Sequence, residues 1–195
     1  MQKSYNHLDG FLLQKMLGCK KDYNAFSEEE RYQAYRMFLK RTGEKGKRIA
    51  ATQTIQKWFG IGGQKRPNRE GLFKLGFALE LSDKEMRELL VYVTCEPDFQ
   101  VNDYREMIFL YGFYHHLSYT KCLAMVDKFE SSLPLEFSLK QQNRTNNNWK
   151  EYGKNCELAA DDFLQWMLER VEDFKGYSKT VLDYFKTIKD SKKDR

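Results

Sequence analysis

The sequence is short of breakers, with only three prolines in 195 residues. It also has no stretch of about 18 consecutive apolar residues, the length a membrane helix needs. The amino terminus lacks a basic start followed by an apolar run, so no membrane partner and a cytoplasmic location are expected. Cys19, Cys95, Cys122 and Cys156 stand far apart, without a CxxC pair or histidines at zinc spacing, and are read as buried thiols of a reducing compartment. The only clustered histidines, His115 and His116, are neighbours, and on a helix they point about 100° apart, unlike a metal-binding i, i+4 pair. No phosphate-cradling glycine loop lies between a strand and a helix, since GIGG (60–63) falls between two helices. No metal, cofactor or catalytic site is therefore expected, and the chain reads as a non-enzyme.

What is present is a chain 41% hydrophobic, 31% charged and 15% aromatic, the composition of a folded helical protein. The net charge of +5 is unevenly spread. Between Arg36 and Lys74 stand 11 Lys and Arg against Glu44 and Glu70, a segment charge of +9, which leaves −4 for the rest. Such concentration suits phosphate, because each neutralised phosphate releases counterions. A merely solvated basic face is the alternative.

Helical spacing of Tyr5, Leu8, Phe11, Leu12 and Met16 predicts a docking helix over 5–17. Ser27 with Glu30 forms a capping box that opens a helix to about Arg41, with Tyr32, Tyr35, Phe38 and Leu39 as its buried face. The chain should turn over 42–47, and a short helix covers about 52–59. Gly60, Gly62 and Gly63 end it. Asn68 then caps a helix to about Glu80, and the Ser82/Glu85 box opens another from Asp83 to Tyr92.

Residues 68–93 and 104–129 are related by a shift of 36, with Arg69/Arg105, Glu70/Glu106, Phe73/Phe109, Gly76/Gly112, Phe77/Phe113, Leu81/Leu117 and Ser82/Ser118 identical. Seven identities in that window point to a duplicated helical hairpin. Beyond Leu133-Pro134, the run QQNRTNNN (141–148) reads as a mobile linker or exposed helix end. Phe163, Trp166, Met167, Arg170, Val171 and Phe174 mark a helix over 159–174, and Ser178 caps a last one. The expected class is all-α: a helix-turn-helix-like bundle over 1–95, the second hairpin copy over 96–135, and a C-terminal helical extension over 136–195.

The short helix offers Thr52, Gln53, Gln56 and Lys57 to solvent, and these types can read base edges: Gln adenine, Lys guanine, Thr the thymine methyl. Lys47, Arg48, Lys65, Arg66 and Arg69 are the candidate phosphate contacts. Trp58, Phe73 and Phe77 belong to the core. Rings beside basic residues also suit single strands, but most recur here at core spacing.

The run Thr54-Ile55, Lys57-Trp58, Gly60, Lys65-Arg66-Pro67, Leu72, Lys74-Leu75, Ala78-Leu79 and Leu81-Ser82 resembles the second half of the Cro/repressor-type (xenobiotic-response-element) helix-turn-helix family. The resemblance covers residues 52–82. It implies a five-helix domain that binds double-stranded DNA, often as a dimer, and so a transcriptional regulator of bacterial type. The sequence departs from the family in the irregular stretch EKGKRIAATQ (44–53) and in the extra residues Ile61 to Gln64. A looser similarity, to regulators that extend such a domain with helices, implies assembly or signalling through residues 102–195. The alternative is a non-enzymatic adaptor that keeps the fold and binds another protein.

Overall fold

The computed structural model describes residues 8–22, 25–47, 49–133 and 145–176. Its described residues form nine α-helices: α1 Leu8–Leu17, α2 Glu28–Lys47, α3 Thr52–Trp58, α4 Arg69–Ala78, α5 Asp83–Glu88, α6 Tyr104–Tyr114, α7 Tyr119–Ser131, α8 Thr145–Asn155 and α9 Ala160–Glu169. No strand occurs among them beyond one isolated bridge, Asp103 with Lys175. The chain divides into two compact units, Met1–Asp98 and Phe99–Arg195. Of the segments read from sequence, 1–95 ends three residues before the first unit does, and 96–135 and 136–195 fall together in the second.

In the first unit α2 starts at the expected capping box: Ser27 N–H donates to Glu30 Oε2 at 2.8 Å, and Glu30 N–H to Ser27 Oγ at 3.2 Å. The helix breaks at Gly43, whose φ of 53° and ψ of −135° suit glycine alone, within the turn expected over 42–47. Its buried face is the expected one at Tyr35 and Phe38 but not at Tyr32 and Leu39. Ala34, Tyr35, Phe38 and Thr42 face inward, while Tyr32 is 41% exposed and Leu39 half-buried.

The reason is Arg31. Its Nη1 donates to Asp9 Oδ2 of α1 at 2.9 Å and to the Phe59 carbonyl at 3.1 Å, with the two side chains 13% and 4% exposed. Drawing residue 31 inward places 34, 35, 38 and 42 on the same stripe and turns Tyr32 about 100° away. Phe38 then packs on Phe59 with ring centroids 5.5 Å apart, and Tyr35 meets the same ring edge-on at 5.9 Å. Burial of one such ring contributes about 1.5–3 kcal/mol.

Further on, Asn68 Oδ1 accepts from Gly71 N–H at 2.8 Å to start α4, and the Ser82/Glu85 box starts α5. Lys15 of α1 reaches the same Glu85, tying α1 to α5. The helix expected to continue to Tyr92 instead widens into a π-helical turn over Leu89–Val93. The hydroxyl of Thr94 donates to the carbonyls of Leu89 and Leu90, both at 3.0 Å, while its N–H donates to Leu89 O.

The second unit centres on a polar knot where the sequence suggested a linker. Asn148, 1% exposed, donates from Nδ2 to the Asn102 side chain at 3.0 Å, to Asp173 O at 2.9 Å and to Val101 O at 3.3 Å. The expected linker is thus corrected at its end: Thr145 to Asn148 open α8. Residues 141–144, Pro134 and the helix expected after Ser178 lie outside the described residues, as does Tyr5. Asn148 is buried where the Val101 carbonyl, the Asn102 side chain and the Asp173 carbonyl converge, and its amide donates to all three. Tyr111 stacks on Phe163 at 4.2 Å, and Trp166 of α9 packs against Phe163 and Phe174, so α6 to α9 share a core.

The corners α4–α5 and α6–α7 have the same local geometry. Glu80 and His116, 36 residues apart, have φ of 54° and 51°, and Leu81 and Leu117 N–H donate to Gly76 O and Gly112 O at 3.1 and 2.8 Å.

Two outcomes follow from these contacts. Asp9→Ala strands a buried guanidinium and should destabilise the chain by about 3–5 kcal/mol in urea unfolding, whereas Asp9→Leu combined with Arg31→Met should cost much less than the two single changes together. Equal additivity would dismiss the pair as the joint. The Glu130 carboxyl lies below its ordinary value because Tyr104 and then Arg105 donate to it. Its contribution is therefore present above the unfolded carboxylate pKa and lost as pH falls through the lower folded value. The stability gap between wild type and Glu130→Gln should be constant near neutrality and close below about pH 4 in denaturation curves.

Candidate nucleic-acid interface

The basic segment supplies two different kinds of cation. Arg66 and Arg69 brace the chain that follows the π-helical turn. Arg66 Nη2 donates to the Thr94 carbonyl and to Glu96 Oε1, the latter at 2.9 Å. Arg69, 13% exposed, donates to Pro97 O at 2.8 Å and Asp98 O at 2.9 Å, and its guanidinium lies 5.4 Å from the centre of the Phe73 ring. Arg69 is therefore occupied inside the unit, although Arg66 keeps half of its side chain in solvent. Lys57 and Lys65 differ from both: they are exposed and make no ion pair among the described residues.

Helix α3 displays most of the face the sequence suggested. Ile55 and Trp58 are buried, Thr52, Gln53 and Lys57 are exposed, and Gln56 is half-buried. Residues 52, 53, 56 and 57 are related by three- and four-residue steps, so they share one side of the helix. Lys47 ends α2 beyond its break, and Arg48 lies outside the described residues.

Lys57, Lys65 and Arg66 meet in one cleft of about 280 Å³, together with Gln64, Trp58, Asp9 and the end of the π-helical turn, Val93 to Cys95. Thr52, Gln53, Gln56 and Arg69 are not among its walls. Gly60 makes the approach possible: its φ is 74°, and a Cβ there would fall onto the Arg31 guanidinium and 2.8 Å from Asp9 Oδ2. Trp58 is 3% exposed, and its indole N–H has no acceptor within the described protein.

Sequence reading missed Asp9, Val93, Thr94 and Cys95 as neighbours of the basic turn. The π-helical turn brings Val93, Thr94 and Cys95 there, and no local pattern in LLVYVTCE announces it, while Asp9 arrives on α1 through its pairing with Arg31. The cysteines are also corrected: Cys122 is buried, but Cys95 is exposed and Cys19 and Cys156 are half-buried. Among the described residues no group of His, Cys, Asp and Glu is arranged to hold a metal ion. No helix among them is long and apolar enough to cross a membrane. Comparison with protein-family models, with curated proteins and with solved structures returned no match.

Burial pushes the Cys122 thiol up to about 12, so it stays protonated and shielded. Because the thiolate is the nucleophile, brief iodoacetamide treatment of the native protein should label Cys95 and spare Cys122 until denaturant is added, read by peptide mass spectrometry. Equal native labelling of both would contradict this burial.

Proposed function

We propose that this protein is a DNA-binding transcriptional regulator of helix-turn-helix type, with double-stranded DNA as its partner. The single observation that carries the reading is the pair of exposed lysines, Lys57 and Lys65, which have no carboxylate partner among the described residues and flank one cleft beside the outward face of α3. Lysines held without an internal counter-charge are the groups that gain most from phosphate, since nothing must be given up for the contact. In this reading Lys57, Lys65 and the exposed side of Arg66 grip the backbone, and Thr52, Gln53 and Gln56 lie toward the bases. Lys47 and Arg48 stay in the proposal as further phosphate contacts, while Arg69 acts by holding the turn.

The resemblance of residues 52–82 to the Cro/repressor-type family supports the same reading, as does the helix–break–helix course from α2 through Gly43 to α3. The matching corners at Glu80 and His116 support a hairpin duplicated at a spacing of 36. The second unit is then proposed as the part that assembles, with another copy or with a protein partner, and the reading assigns no catalytic role and a cytoplasmic location.

An adaptor that binds protein instead has one observation in its favour, the exposed apolar side chains of Tyr32, Met37 and Tyr92 in the first unit. Fluorescence anisotropy with a labelled duplex separates the two. Binding at about 50 mM salt should weaken steeply as salt is added, and Lys57→Ala with Lys65→Ala should cut affinity at least tenfold and lower the salt slope by about 2. Absence of duplex binding, or an affinity unchanged in the double variant, would favour the adaptor.

A further inference from the structure

We infer that the cleft between α3 and the π-helical turn is a binding site for one phosphate monoester carried on a nucleoside. It shares Lys57 and Lys65 with the DNA reading but does not need a duplex.

The shape is the first reason. Duplex backbone is a continuous ridge that a protein meets with an open face, whereas this cleft is concave. Its volume of about 280 Å³ lies near the lower end of small-molecule sites, so it suits a ligand no larger than a single nucleotide.

Charge is the second. The one acid in the lining, Asp9, is already neutralised by Arg31 at 2.9 Å, and Arg66 is partly matched by Glu96. Two positive charges remain uncompensated among the described residues, those of Lys57 and Lys65. A backbone diester has one negative charge, but a phosphate monoester has close to two at neutral pH, with its second pKa near 6. The cleft is therefore better matched to a monoester.

The rest of the wall provides for the nucleoside. Leu8, Trp58 and Val93 are the apolar part of the lining, and the edges they leave open give a base a low-polarity wall to rest against.

The test uses the full chain at about 50 mM salt with adenosine 5′-monophosphate, adenosine, and one oligonucleotide with either a 5′-phosphate or a 5′-hydroxyl. Calorimetric titration should show that the monophosphate binds and adenosine does not. Lys57→Gln with Lys65→Gln should weaken monophosphate binding at least tenfold, Lys121→Gln on α7 should leave it unchanged, and bound monophosphate should slow alkylation of Cys95. Affinity should fall below about pH 6, where the monoester loses its second charge. Binding of the 5′-phosphorylated strand in preference to its 5′-hydroxyl form identifies a strand end as the source, and binding of the monophosphate alone identifies a free nucleotide. Equal binding of adenosine and the monophosphate, no binding of either, or full affinity in the double variant would overturn the site. A duplex ending in 5′-hydroxyls keeps the two readings apart: if it binds while the monophosphate does not, the cleft proposal fails and the DNA proposal stands, and the reverse result has the reverse meaning.

Discussion

The ion pair between Arg31 and Asp9 is the joint on which the first unit depends. It links α1 to α2 and, through the Phe59 carbonyl, to the end of α3. With both partners largely withdrawn from water, neither charge can be left alone without a heavy desolvation cost. The pair therefore dictates geometry even where its net contribution to stability is small. It sets the rotation of α2, and with it the choice of Tyr35 and Phe38 over Tyr32 for the core. It also leaves room for no side chain at residue 60, so glycine there answers both a backbone conformation and a crowded corner.

A second brace runs from the basic segment to residues 94–98. Arg66 and Arg69 bind carbonyls and Glu96 at the exit from the π-helical turn, where the helix has stopped satisfying its own backbone. Part of the charge concentrated between residues 36 and 74 is thus used to hold the fold. The remainder is what can meet a partner. Net segment charge overstates the electrostatic footprint for this reason, and Lys57 and Lys65 matter more than their share of the +9.

The second unit solves a related problem with acidic and amide side chains in place of arginines. The segment ahead of α6 is irregular, and its polar groups are met by side chains: Asp103 caps α6, Glu106 accepts from Gln100 N–H at 2.7 Å, and Asn148 takes carbonyls from two parts of the chain. A residue embedded in an asparagine-rich run becomes one of the most buried polar groups described in the unit because of what it can donate, not because of its neighbours in sequence.

Much was decided locally and was readable as such. The all-helical class, the capping boxes at Ser27 and Ser82, the Asn68 cap, the break near Gly43 and the outward exposure of Thr52, Gln53 and Lys57 all follow from spacing and from the hydrogen-bonding chemistry of single side chains. Tertiary structure alone decided which cations are engaged and which are not, since Arg66 and Arg69 meet the carbonyls and Glu96 of residues 94–98 while Lys65, beside them in sequence, stays exposed. It also decided the rotation of α2, the burial of Asn148 and the cleft itself. Each of these joins groups far apart in the chain, such as Arg31 with Asp9 and Arg66 with Thr94, and periodicity has no information about a partner at that distance.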